Sequence, residues 1–133
     1  MSTYVRLRLA SEVYAIPVEH ALEIAELGDV TPVPRAPAEV LGVKNLRGQI
    51  LPVLDLAALL GTQNSHSPRF LLVAEAGGRR GGFAVDEVSQ VGELADPAEE
   101  AESDLLLGAT LTDDELVGVI DVPRIFGSLE HQP

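Results

Sequence analysis

Apolar and polar residues alternate with a period of two from Tyr4 to Leu9, where Val5, Leu7 and Leu9 share one face and Arg6 and Arg8 the other. This is the pattern of a half-buried β-strand. Ser11-Glu12 reads as a turn and Val13–Ile16 as the return arm of a hairpin. Beyond Pro17, the run Val18–Leu27 is compatible with helix or strand; a brief helical turn over Val18–Ala21 and then a strand over Leu22–Leu27 are expected. Three prolines between Thr31 and Pro37 remove ladder donors and favour a rigid, extended connection. One helical turn over Ala38–Leu41, a strand over Gly42–Leu46 and a tight turn at Arg47-Gly48 follow, and then a strand over Gln49–Leu54 apolar enough to be buried on both faces. Asp55 stands where an N-cap belongs and Gly61 just past the last apolar residue, which frames a short helix between them.

The second half runs through the same order. Strands are expected over Arg69–Glu75, Gly82–Asp86, Val88–Leu94, Leu107–Thr112 and Leu116–Ile120, ahead of a last short helix. Gly77–Arg80 and Asp113-Asp114 supply turns, and Asp96–Asp104 forms an acidic loop or short surface helix. Ile50–Gly61 aligns without gaps on Leu116–Gly127, with Val53/Val119, Asp55/Asp121 and Gly61/Gly127 identical. At the same offset Tyr4, Val5 and Leu7 fall on Phe70, Leu71 and Val73, and nearby Tyr14-Ala-Ile16 falls on Phe83-Ala-Val85. The chain therefore contains two similar units, 4–61 and 70–127, each of about five short strands ending in a helical turn. The expected fold is all-β with a few short helices, as two small five-stranded barrels packed side by side.

Composition narrows the function. The chain has 133 residues, no cysteine, and 21 acidic against 9 basic side chains. Leu, Val, Ile and Phe are abundant enough for a packed core despite the charge of −12. Without cysteine there is no disulfide framework, thiol nucleophile or thiolate metal site. Arg6 and Arg8 interrupt the start where a signal peptide needs an apolar run, and no 18-residue apolar stretch exists to span a membrane. So acidic a chain is a poor partner for nucleic acid. The charge is uneven: residues 1–85 carry 8 acidic and 8 basic groups, and the rest carry 13 acidic groups against Arg124 alone. The second unit is therefore expected to be acidic and the first neutral.

Catalytic chemistry finds little support. Asp55 and Asp121 could divide acid and base roles in a small hydrolase, but both occupy the same strand-to-helix junction in their units, and so read as helix N-caps. Gly61 and Gly127 read as the matching C-caps, and Pro123 fits a first helical turn. His20, His66 and His131 lack metal-ligand spacing, and Ser65 and Ser67 have no paired base. Gly77–Gly82 lacks the spacing of a phosphate loop and reads as a hairpin tip. Glu99–Asp104 lacks the order of a calcium loop and reads as a solvated face. No metal or cofactor is expected. Arg47 differs, because it stands on a tight turn between apolar strands. It reads equally well as a guanidinium free to grip a partner's carboxylate or carbonyls, and as one arm of an internal salt bridge to Glu23 or Asp55.

Tyr14-Ala-Ile16, Glu23-Ile24, the segment ending in Pro34, Gly42-Val-Lys-Asn-Leu-Arg-Gly48, Pro52-Val-Leu-Asp-Leu56, Val85-Asp86 and Val119-Ile-Asp-Val122 together resemble the CheW-like coupling proteins of chemosensory arrays. The glycine-to-glycine stretch 42–48 followed by Pro52–Leu56 is the specific part. The resemblance implies two SH3-like barrels in a single domain over residues 1–133. It also implies a non-catalytic cytoplasmic adaptor, recruited to membrane-associated arrays, that binds the regulatory domain of a CheA-type histidine kinase and the cytoplasmic tip of methyl-accepting chemoreceptors. Carried over residue by residue, Asn45, Arg47 and Gly48, with Gly42 at their base, match the receptor-coupling turn. Glu23 matches a nearby acidic position. Val85 and Asp86 would line an inter-barrel groove for a receptor helix, and Val18 and Leu41 would face the kinase. Twitching or another non-flagellar system, or a detached kinase regulatory domain, is the alternative; Met1 just before the first strand argues for a stand-alone product.

Overall fold

Period-two runs become strands throughout the computed structural model, which describes residues 1–62, 67–98, 100–101 and 103–130. The order is β1 (Ser2–Leu9), β2 (Glu12–Pro17), a 3₁₀ turn (Val18–His20), β3 (Ala21–Glu26), β4 (Val40–Leu46), β5 (Gln49–Asp55), α1 (Leu56–Leu60), β6 (Phe70–Ala76), β7 (Arg79–Val85), β8 (Glu87–Leu94), β9 (Leu106–Thr112), β10 (Glu115–Ile120) and α2 (Val122–Glu130). Among the described residues, ten strands make two five-stranded sheets.

The two sheets have one topology, and they exchange strands between the sequence repeats. One runs β8-β1-β2-β10-β9 and the other β3-β6-β7-β5-β4. The first hairpin of each repeat thus joins the last three strands of the other. The halves meet twice in each sheet, once through an antiparallel pair (β1 on β8, β3 on β6) and once through a parallel pair, with Gly118 opposite Tyr14 in one sheet and Leu54 opposite Phe83 in the other. This corrects the expectation that each repeat folds into its own barrel. Its physical cause lies in the connections. Only Asp86 separates β7 from β8, too little for a two-residue hairpin turn, so the chain passes straight on into the other sheet. The 3₁₀ turn carries β2 to β3 in the same way.

Charge follows the exchange. The unit built from residues 1–17 and 86–133 holds 14 acidic and 3 basic groups, and the unit of residues 18–85 holds 7 and 6. The acidic unit therefore includes the N-terminal hairpin, which the sequence repeat assigned to the neutral half.

Alternate residues of the central strands feed different cores. On β2, Val13 and Ala15 pack inside the acidic unit with Tyr4, Leu94, Val117 and Val119. Tyr14 and Ile16 point the other way, into a large cluster between the sheets. On β7, Ala84 joins Leu51, Val53, Leu71 and Val73, whereas Phe83 and Val85 enter the shared cluster. Burial on both faces explains why these runs carry apolar residues at nearly every position. Gly82 serves the same packing, because a Cβ there would lie 2.3 Å from Leu71 Cδ1.

Three local expectations change. Ala38-Glu39 is a plain turn and strand begins at Val40, so Leu41 is a strand residue. On β5, Ile50 and Pro52 face solvent, so that strand is buried on both faces only at its end, where Val53 and Leu54 enter different clusters. Gly127 is no cap: α2 continues to Glu130, because Val122, Ile125, Phe126 and Leu129 form one apolar stripe that packs on the shared core. Asp55 and Asp121 do cap, accepting from the amides of Ala58 at 3.2 Å and Arg124 at 3.1 Å, and Gly61 closes α1 in a left-handed conformation.

Candidate functional site

Strand β3 is built inside out. Its small residues Ala21 and Ala25 turn toward the protein, while Leu22 and Ile24 stand 45% and 49% exposed. A bulge between Ala21 and Glu23 pushes Leu22 outward. Across from them, β8 presents Val91 at 60% exposure. Val18, Leu22, Ile24 and Val91 line a groove of about 190 Å³ between the two units, floored by buried Val5 and Leu72. An exposed apolar cleft rimmed by polar residues is a candidate docking surface. Leu22, Ile24 and Val91 are candidate positions that the sequence analysis did not single out; the small-in, large-out alternation of β3 was the available signal.

Beside the groove sits the turn between β4 and β5. Arg47 and Gly48 both have left-handed backbone, with φ of 50° and 86°, as a two-residue type I′ hairpin requires. Asn45 Oδ1 accepts from the Gly48 amide at 2.8 Å and braces the turn. Gly42 sets its base. A Cβ there would lie 2.1 Å from the carbonyl oxygen of Thr31, because Thr31 exchanges backbone hydrogen bonds with Val43 along the free edge of β4. Leu41, 36% exposed, is the extra residue of the adjoining bulge.

Of the two readings of Arg47, the internal ion pair is present. One guanidinium nitrogen donates to Glu23 Oε1, so the internal salt bridge exists and Glu23 is its partner. The Arg47 side chain is nonetheless 69% exposed, with donors left for another molecule. Glu23 lines the groove, so the pair ties the cationic turn to the apolar cleft.

The other expected site residues divide between the groove and the rest of the fold. Val85 is fully buried in the core between the sheets and offers no docking surface; the strand exchange that makes β7 central put it there. Asp86 is a brace, its Oδ2 accepting from the Ala10 amide at 2.7 Å and its own amide donating to the Arg8 carbonyl at 3.1 Å. Val18 belongs to the groove, while Leu41 stands on the β4 bulge. His20 pairs through Nδ1 with the Glu75 carbonyl at 3.0 Å. His66, His131, Ser65, Glu99 and Glu102 lie outside the described residues.

Shifted ionisations lie away from the groove. Burial, with the nearby Glu12 carboxylate, pushes the Tyr14 phenol up to about 12. Asp96 is held below the usual carboxylate range by the Ser2 hydroxyl and the N-terminal ammonium. Tyr4 is raised by burial and by Asp96. Among the described residues no group of three His, Asp or Glu is placed to hold a metal ion. No helix there is long and apolar enough to cross a membrane.

Against this geometry, the family model for the CheW-like domain matches residues 3–130. The chain belongs to the CheW-like family. A probable chemotaxis protein CheW of Rhizobium etli is 29% identical over 138 residues, which cover 96% of this chain and 89% of that one. CheW of Helicobacter pylori is 32% identical over 126 residues, 88% and 76% of the two chains. The crystal structure of the scaffolding protein TtCheW from Thermoanaerobacter tengcongensis superposes with a TM-score of 0.77 at 27% identity, covering 90% of this chain and 83% of that one. The family membership makes this chain a chemotaxis scaffold or adaptor.

Proposed function

We propose that the protein is a non-catalytic adaptor, a single domain over residues 1–133, that couples the cytoplasmic tips of chemoreceptors to the regulatory domain of a CheA-type histidine kinase. The observation that carries this reading is the pairing of an exposed apolar cleft, Leu22, Ile24 and Val91, with a cationic turn at its edge. A receptor tip is helical, and a helix with an apolar stripe flanked by carboxylates or free carbonyls fits both parts. Arg47 supplies the polar grip and Glu23 holds it in place. Asn45, Gly42 and Gly48 act through the backbone they shape, and Asp86 through the turn it braces. Val18 and Leu41 contribute apolar contacts, with Leu41 kept as the kinase-facing one. The adaptor works in the cytoplasm and reaches the membrane only through the receptors it binds.

A pull-down with the kinase regulatory domain and with receptor cytoplasmic fragments from the same genome tests the reading. Capture of both at micromolar concentration is the expected result; capture of neither overturns it.

A further inference from the structure

The connection between β3 and β4 is held in shape by its own bonds. Thr31 exchanges two backbone hydrogen bonds with Val43, at 2.9 and 2.8 Å. The Ala36 amide then closes a turn on the Val33 carbonyl at 3.2 Å, and the Val40 amide closes another on the Pro37 carbonyl at 2.9 Å. Pro32, Pro34 and Pro37 fix φ along the way. The first turn has Pro34 at its first corner and Arg35 at its second, with a left-handed φ of 65°. A positive φ there marks a type II turn, whose second corner suits glycine or asparagine. A long side chain is strained at that corner, and Arg35 recovers nothing inside the fold: among the described residues its side chain has no hydrogen-bond, ion-pair or ring partner. The other left-handed side chains differ. Ala10 donates its amide to Asp86, Arg47 pairs with Glu23, and Asp113 and Asp114 are short polar residues in a two-residue hairpin turn. Strain with no local return points to a contact outside the chain.

The neighbours of Arg35 say what that contact is. The antiparallel bridge at Thr31 runs the connection back along β4, and Pro32 Cα lies 3.0 Å from where a Gly42 Cβ would stand. The next register position sets Val33 beside Leu41, and both are exposed aliphatic residues. An apolar pair with a guanidinium next to it thus stands at the opposite end of β4 from the Arg47 turn, and none of the three lines the docking groove.

We infer that Arg35 is a recognition residue for the kinase. Its guanidinium grips a carboxylate of the regulatory domain, beside an apolar side chain that packs on Val33 and Leu41. The inference rests on the adaptor reading, which gives Leu41 to the kinase. A planar guanidinium can hold a carboxylate through two parallel hydrogen bonds, and arginine next to apolar contacts is a frequent make-up of interface hot spots. Because the turn is already rigid, little backbone freedom is lost when it docks.

Calorimetric titration of the full chain with the kinase regulatory domain, and separately with a receptor cytoplasmic fragment, tests the inference. Glycine and asparagine both suit a left-handed corner, so Arg35→Gly and Arg35→Asn should melt no lower than the wild type. Each should bind the kinase domain at least about fivefold more weakly, with receptor affinity unchanged. Added salt should weaken wild-type binding more steeply than that of Arg35→Gly, which has one ion pair fewer to screen. Arg124→Gln removes the same charge from an exposed site on α2 and should change neither affinity. Unchanged kinase affinity in Arg35→Gly, an equal loss in Arg124→Gln, or a loss of receptor affinity instead would each overturn the inference while leaving the adaptor reading in place. A wild type that binds no kinase domain would overturn that reading, and the inference with it.

Discussion

Phe83 and Phe126 stack with ring centroids 6.0 Å apart and 26° between planes, one on a central strand of the near-neutral unit, the other on the helix that follows β10 of the acidic unit. Arg79 reinforces the contact by donating to the Phe126 carbonyl at 3.2 Å. The two units therefore share a core rather than merely touching. Phe126→Ala should remove about 3–5 kcal/mol. Urea unfolding followed by tyrosine fluorescence and by far-ultraviolet circular dichroism should still show one coincident transition; separated transitions would mean the units fold independently.

A second prediction concerns Gly42. Alanine there meets the Thr31 carbonyl oxygen, which is backbone and pinned by its bridge to Val43. Gly42→Ala should be strongly destabilising, by more than about 2 kcal/mol, because the β4 edge must shift. Gly48→Ala meets no atom and suffers only from its left-handed backbone, at about 1 kcal/mol. Equal losses in a denaturant titration would show that conformation rather than close approach governs both positions.

Strands and helix caps were legible because alternation and capping are local: Asp55 and Asp121 cap as their position implied. Partner choice was not, because a repeat shows which strands are equivalent without showing which copy each one pairs with. The missing hairpin turn at Asp86 was the one local clue to the exchange. Val85 was misplaced for that reason: an apolar residue on a strand looks the same whether it faces a groove or a second sheet. Gly127 failed as a cap because the stripe that continues through Leu129 outweighs a glycine's preference to end a helix. The tight turn at Arg47-Gly48 was legible, while the Asn45 brace and the choice of Glu23 over Asp55 as the partner of Arg47 were not, because both depend on how neighbouring strands pack.

For Arg47 the two readings separate by magnitude. An exposed ion pair contributes roughly 0–1 kcal/mol, so Arg47→Ala should leave the melting temperature nearly unchanged while weakening receptor binding. Glu23→Gln should weaken binding less, because the guanidinium stays and only its anchor is lost. A melting temperature lowered by many degrees in Arg47→Ala would show that the pair is chiefly structural.

Tyr14 predicts an alkaline limit. Its phenol ionises at about 12 in the fold against an ordinary value of 10.0, so the fold favours the neutral form. The resulting stability is complete below pH 10.0, where the unfolded chain also keeps its proton, and drains away as pH rises from there through about 12. Melting temperature recorded from pH 9 to 12 should fall across that window, and less steeply in Tyr14→Phe; identical slopes would assign the loss to other groups.

In the proposed coupling, the apolar cleft between the two units receives a receptor helix. Titration of the wild-type chain and of Ile24→Glu with a receptor-tip fragment, read by calorimetry, decides whether it does. Ile24 is half exposed, so the substitution should fold normally. Saturable binding by the wild type, reduced at least about tenfold by a charge buried in the cleft, is the predicted result. Equal affinity for both proteins would place the receptor elsewhere and rule the cleft out as its seat.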